Sequence, residues 1–268
     1  KKLQRNAHKN FIYTNNYSST LIDDLRTSLI LKRVNINFNT NKKLKIIYIT
    51  NFNERFNGRL HYNTGKRINN GLIKLGHNVL TLSDRDIISN YKSLVDPSGK
   101  KILNDKIIES CKNFNPDIII MGHADNVQTN TLDYLKNKNK NLKICQWFLD
   151  PITKYGPDYT NNKNRLLKSE NFIDATFITT DPKSIDFNLN NSYFIPNPAD
   201  ESFEVLKNYE TNPNNDLFFA MSHGVHRGTL KTGKGDDREK LLKKLIINNK
   251  EIKFDFYGFE KKQPIWGD

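Results

Sequence analysis

From residue 44 onward, short apolar runs alternate with longer polar stretches whose hydrophobic residues recur at helical spacing. The apolar runs are Leu44–Thr50 (LKIIYIT), Val79–Ser83, Asp117–Met121, Leu142–Phe148, Ala175–Thr179, Tyr193–Ile195, Leu217–Met221 and Lys253–Tyr257. Each has the length and near-continuous hydrophobicity of a strand buried in a parallel sheet. The stretches near Asn63–Leu75, Lys100–Phe114, Asn130–Lys138, Asn162–Glu170 and residues 236–246 predict the intervening helices. Strand–helix alternation of this kind predicts an α/β protein with a doubly wound, Rossmann-like parallel sheet. We place this domain at 44–198, followed by a charged, Asn- and Pro-rich linker at 199–215 and the start of a second Rossmann-like domain at 216–268. Residues 1–43 carry Leu21, Leu25 and Leu29, with Ile22 and Ile30, behind Ser and Thr capping residues. This spacing predicts an amphipathic helix.

Composition changes this picture little, because the 36% apolar residues are clustered rather than diluted. Charge adds more. The net charge is +13, and residues 1–43 supply +7 of it. A basic extension of this kind favours an anionic membrane surface or an acidic partner, or is a solvated basic face. No recognised DNA- or RNA-binding motif accompanies it, so nucleic acid is not expected as a partner. Cys111 and Cys145 lie in separate segments without metal spacing, and Cys145 reads as a small core residue. No run has the length of a membrane span and no signal peptide is visible. We expect a cytoplasmic protein, with membrane association through the basic extension. The chain lacks an initiator Met and ends at PIWGD just after a strand, so it reads as part of a longer protein.

In a doubly wound sheet, ligands bind outside the C-terminal strand ends. The polar residues there are Asn57-Gly58, Gly122-His123-Ala124-Asp125, Asp150-Pro151, Thr179-Thr180 and Pro196-Asn197-Pro198. His123 is a candidate general base or hydroxyl ligand, with a structural histidine as the alternative. Asp150 is a candidate for deprotonating an acceptor hydroxyl, with a turn cap before Pro151 as the alternative. Trp147 reads as core. The loop after the first strand has no GxGxxG, which disfavours a dinucleotide cofactor. Asp84-Arg85-Asp86 has the form of a manganese-binding DxD motif but reads as a charged turn.

The stretch Asp216–Lys234 (DLFFAMSHGVHRGTLKTGK) joins a strand, a Gly-rich basic loop and a helix start. Such a combination makes an anion site, with converging backbone N–H groups and the helix dipole. Its candidate ligand contacts are Ser222, His223, Gly224, Arg227, Lys231 and Lys234. Gly228–Gly235 approaches GxxxxGK, but Gly235 stands where a P-loop needs Ser or Thr, which argues against a phosphotransferase. His223 and His226 lack a third ligand at fixed spacing, so no metal is expected.

The ordered segments KIIYIT, GKRINNGLIKLGHNVLTLSDRD, PDIIIMGHAD, KICQWFLDP, ATFITT, FIPNPAD and FFAMSHGVHRG resemble a GT-B glycosyltransferase, in the branch of CgeB-like and related group 1 transferases. The resemblance spans about residues 44–268. It implies two Rossmann-like domains: an acceptor-side one at 44–198 and a donor-side one beginning at 216. It also implies metal-independent transfer of a sugar from a nucleoside-diphosphate sugar to a hydroxyl of a glycan, lipid or protein, with no further cofactor. By the same resemblance, Arg227 and Lys231 or Lys234 contact the donor diphosphate, Asn57 and Gly58 belong to the loop after the first strand, and His123 and Asp150 line the cleft. The segments that would hold the ribose and base lie beyond Asp268, so this stretch alone is expected to turn over little. The alternative reading is a non-catalytic two-domain binder of a phosphorylated or sugar ligand.

Overall fold

The structure is a computed structural model; it describes residues 42–154, 156, 158–205, 212, 214–222 and 237–259. The amphipathic helix expected within residues 1–43 therefore lies outside the described residues, as does the basic loop after Ser222. The chain divides into two compact units between Glu204 and Val205.

In the first unit, six parallel strands alternate with helices, in the order β1 (Lys45–Thr50), α1 (Thr64–Lys74), β2 (Asn78–Ser83), α2 (Asp84–Tyr91), α3 (Lys100–Phe114), β3 (Ile118–Gly122), α4 (Thr129–Lys138), β4 (Lys143–Phe148), α5 (Tyr159–Lys168), β5 (Ala175–Ile178) and β6 (Ser192–Phe194). The strand order across the sheet is β2-β1-β3-β4-β5-β6. Successive strand residues point to opposite faces, and the core divides accordingly. Ile47, Ile49, Ile119 and Ile144 pack with Ile87 of α2, Leu103 and Ile107 of α3 and Leu132 of α4. Ile46, Tyr48, Ile118 and Trp147 face Ile68 and Leu72 of α1. Phe148 and Ile178 pack on Leu166 of α5. Helices thus cover both faces, as the apolar pattern predicts for a doubly wound sheet.

Cys111 and Cys145 are both buried thiols. Burial pushes Cys145 up to about 11 and Cys111 to about 12. Neither thiol is activated.

One element departs from the sequence reading. Asp84-Arg85-Asp86 is the first turn of α2, not a charged turn. Acidic residues there suit the helix dipole, and Asp86 does more. Its carboxylate accepts from the Ser83 hydroxyl, from the Glu54 N–H at 2.8 Å and from Arg55 Nη1 at 2.7 Å. Glu54 and Arg55 open a 3₁₀ turn, Glu54–Phe56, in the loop after β1. A carboxylate with these commitments organises the β1–α1 loop and is not offered to a cation.

Residues 200–204, expected as linker, dock on α1. Asn70 donates to Asp200 at 2.7 Å, Lys74 pairs with Asp200 at 3.1 Å, and Arg67 Nε donates to Glu204 at 2.8 Å. The Ser202 N–H and hydroxyl, with these partners, hold the Asp200 carboxyl far below the usual carboxylate range.

The second unit contains β7 (Leu217–Ser222), α6 (Asp237–Asn248) and β8 (Phe254–Phe259), with β7 and β8 paired in parallel from Leu217↔Phe254 to Ser222↔Phe259. Parallel pairing through a helix is the βαβ unit anticipated from residue 216 onward.

Burial raises the Asp86 carboxyl, but the Ser83 hydroxyl, the Glu54 and Arg55 N–H groups and the Arg55 guanidinium outweigh it and leave the group below its ordinary range. Its stabilisation is present above the unfolded carboxylate pKa and is lost as pH falls through the lower folded value. Asp86→Ala should destabilise the first unit by about 3–5 kcal/mol, the range for breaking a buried ion pair. Urea unfolding at neutral pH checks this, and the deficit should shrink when the measurement is repeated near pH 3.

Candidate active-site cleft

The sheet reverses its winding between β1 and β3, the place where open α/β sheets bind ligands. A cleft of about 450 Å³ opens there, within the usual range for ligand sites. Its walls come from the end of β1 (Thr50, Asn51), the start of α1 (Asn63, Thr64, Gly65), Arg85 of α2, His123 after β3, Trp147, Leu149 and Asp150 around the end of β4, and Arg165 of α5.

Two glycines make the geometry. A Cβ on Gly65 would lie 2.8 Å from Thr50 Cγ2, so only glycine lets α1 begin this close to β1. A Cβ on Gly122 would lie 2.0 Å from the Trp147 ring. The indole lies over that glycine and donates from Nε1 to the Tyr48 hydroxyl at 3.1 Å, so its body is core while one edge reaches the cleft. Asn63 caps α1, accepting from the Lys66 N–H at 3.0 Å, and its amide donates back to Phe52 and Leu60 carbonyls. Asn63 thereby ties both ends of the β1–α1 loop together at the start of the helix.

His123 follows Gly122 with φ +50°; every other described non-glycine residue with positive φ is Asn or Asp. A left-handed backbone at a cleft histidine is the kind of strain that functional sites retain. Its ring stacks on Phe148 at 4.4 Å and 21°, and meets Trp147 edge-on at 5.4 Å. Nε2 accepts from the Leu149 N–H at 3.4 Å, while Nδ1 lies 3.9 Å from Asp150 Oδ2. With Nε2 as acceptor, the ring proton sits on Nδ1 and is directed toward Asp150. Burial holds the imidazole below the usual histidine range, with Asp150 and Asp125 pulling it up and Arg165 and Arg85 pushing it down. His123 is therefore neutral near pH 7.

Asp150 is more than half exposed on a braced loop. Thr179 Oγ1 donates to the Leu149 carbonyl at 3.0 Å, Asn162 Nδ2 donates to the Pro151 carbonyl at 3.1 Å, and the Ile152 N–H reaches Thr180 Oγ1 at 3.4 Å. The result is an exposed carboxylate on a fixed backbone, with His123 as its ion-pair neighbour among the described residues.

His123 and Asp150, the two candidates read from the strand ends, are thus brought together. Asn57 and Gly58 are not brought to them. Both have positive φ, at +50° and +86°, and they form the exposed turn after the 3₁₀ segment, outside the cleft wall. Their residue types answer to backbone geometry. Ser222 ends β7, and its side chain lies outside the described residues. So do His223, Gly224, Arg227, Lys231 and Lys234. Sequence reading passed over Arg85, Arg165, Asn63 and Gly65. Arg85 was hidden inside the DxD-like triplet, and Arg165 lies in a helix with no local signal of its role.

Asp84 is fully buried beside this cleft wall, and among the described residues neither carboxylate oxygen has a hydrogen bond of good geometry; the only donors that ease its burial are the Arg85 N–H and the Asn126 side chain. Burial raises its pKa to about 6; the Arg85 N–H and guanidinium and the Asn126 side chain offset only part of the rise, and the Asp125 charge adds to it.

No family model matches the chain, and no curated protein matches it. Among solved structures, the glycosyltransferase SnogD from Streptomyces nogalater is similar over 85% of this chain and 70% of its own, at 12% identity and a TM-score of 0.43. An alpha-glucosyltransferase in complex with UDP and a 13-mer DNA containing a central A:G mismatch is similar over 70% of this chain, at 15% identity and a TM-score of 0.35. This chain spans half the length of that second protein.

A carboxyl with a raised folded pKa binds more protons folded than unfolded between pH 4 and 6, so stability falls as pH rises through that window. Replacing Asp84 by Asn should remove this fall. At pH 7 the variant should be more stable than the parent by about 1–3 kcal/mol, and below pH 4 the difference should vanish. Thermal unfolding across pH 4–8 reads both limits.

Proposed function

We propose that this chain is the acceptor side, with the beginning of the donor side, of a glycosyltransferase that moves a sugar from a nucleoside-diphosphate sugar to a hydroxyl. One observation carries the reading: the exposed Asp150 carboxylate faces His123 across 3.9 Å in a cleft at the sheet's switch point. The cleft is lined by Asn, Thr and Arg as well as Trp147, a mixture suited to hydroxyl-rich ligands. The order of segments that resembles the GT-B family supports the same reading.

In this mechanism Asp150 accepts the proton of the acceptor hydroxyl as its oxygen attacks the anomeric carbon. The bond from that carbon to the diphosphate oxygen breaks, and the diphosphate leaves with the electron pair. His123, its Nε2 engaged by Leu149, donates from Nδ1 and orients the carboxylate or the incoming hydroxyl. Arg227 and Lys231 or Lys234, together with Ser222, His223 and Gly224, would take the departing diphosphate. This assignment follows from their sequence pattern and lies outside the described residues. The chemistry proposed requires neither a metal nor a further cofactor. A glycan, lipid or protein acceptor, a cytoplasmic location and a membrane contact through the basic extension complete the proposal.

Asp150→Asn preserves shape and removes the base. In the complete enzyme it should lower kcat by about 10²–10⁴ while leaving nucleotide-sugar binding unchanged. Release of nucleoside diphosphate, followed with a panel of nucleotide-sugars, measures the first quantity, and calorimetry measures the second. Unchanged kcat would remove Asp150 from the chemistry. Ligand binding without turnover in the complete parent enzyme would favour a binding protein instead. Arg227→Ala should cost about 2–4 kcal/mol in transition-state stabilisation, the scale for one such electrostatic contact, read as a fall in kcat with the fold intact.

A further inference from the structure

The cleft that holds His123 also holds two arginines that the base chemistry does not use. Arg85 is the second residue of α2, presented at the end of β2, and Arg165 comes from α5. They approach the same atom, Asp125 Oδ2, at 3.6 and 3.5 Å. Both distances exceed those of good charge-assisted hydrogen bonds, and both arginine side chains are 41% exposed. A pair this long and this wet adds little to stability. Each guanidinium carries five N–H donors in a planar fork, and among the described residues one oxygen is the ion partner of both. Two positive charges thus share a single carboxylate oxygen and face the cleft.

A third cation stands beside them, and Asp150 lines the same cleft as the opposing charge. Lys168 Nζ lies 3.4 Å from the Asp125 carbonyl. Thr64 and Gly65, at the start of the eleven-residue helix α1, line the same cleft. First-turn N–H groups of a helix favour anions.

We infer that Arg85 and Arg165 form an oxyanion subsite, with Asp125 as a built-in counterion that a phosphoryl group displaces from between them. Two forks around one site match a tetrahedral dianion better than a monovalent carboxylate. Assigning that phosphoryl group to the acceptor rests on the transferase reading above; the subsite itself does not. The acceptor class is then a phosphorylated sugar or another phosphorylated glycan or lipid, with its phosphate held in the first unit and its hydroxyl offered to Asp150.

The test uses the full chain carrying Arg227→Ala, Lys231→Ala and Lys234→Ala, so that the basic loop of the second unit does not contribute. Inorganic phosphate is titrated by calorimetry, with acetate as the carboxylate probe. Saturable phosphate binding is expected, weakened about tenfold or more by Arg85→Gln with Arg165→Gln. Asp125→Asn should tighten it several-fold by removing the competing carboxylate, a gain that a misfolded variant would not show. Acetate should bind at least about tenfold more weakly than phosphate. Absence of saturable phosphate binding, binding indifferent to the arginines, weakening by Asp125→Asn, or equal affinity for acetate would each overturn the subsite. Failure of the transferase reading is separate: it appears as no release of nucleoside diphosphate by the complete enzyme, whatever phosphate does here.

Discussion

At the C-terminal end of β1 there is no space for two side chains. Gly65 abuts Thr50 and Gly122 lies under Trp147, while Thr50 donates its hydroxyl to the Gly122 carbonyl at 2.9 Å. This close approach draws the first turn of α1, the end of β3 and the indole of β4 to one point. Every wall of the cleft is placed relative to it. A methyl group at Gly122 would have to push the indole off its seat, breaking its bond to Tyr48 and lifting the backbone that carries His123.

Around this point, three acidic residues near the start of α2 and the end of β3 take three fates set by their surroundings. Asp86 is buried and fully partnered, so it is held ionised and serves as an anchor for the β1–α1 loop. Asp84, two residues away, is buried with only weak donors beside it, and its proton is retained to about pH 6. Asp125 stays partly exposed between two arginines. Desolvation alone would treat all buried carboxylates alike; the number of donors within reach decides between anchor and strained acid. The fourth, Asp150, is held by its backbone rather than by its side chain, which leaves the carboxylate available to a ligand.

Much of the first unit was legible from the chain. Apolar runs separated by amphipathic stretches identified all six strands and the helices α1, α3, α4 and α5, because burial on both faces forces near-continuous hydrophobicity in a parallel strand. The helix at Asp84–Tyr91 was missed: DRDIISNY has only two adjacent isoleucines and so no helical period. Its charges read as a turn, whereas tertiary burial of Asp84 and Asp86 makes them a helix start. Asn57 and Gly58 lie in an exposed turn away from the cleft lining for a related reason. Their residue types serve positive φ in a turn, and that requirement is indistinguishable in sequence from a ligand loop.

By itself the sequence determined the alternation of elements and hence the parallel sheet, and it placed His123 and Asp150 at strand ends, because strand ends follow directly from where apolar runs stop. It also set the glycines that permit close packing. Only the tertiary structure decided the strand order that puts the switch point between β1 and β3, and with it which loops meet. The pairing of His123 with Asp150, and the meeting of Arg85 with Arg165 across Asp125, join residues 27, 40 and 80 positions apart along the chain. No local pattern encodes such meetings: they arise from packing helices on a twisted sheet, a property of the whole layer and not of any one segment.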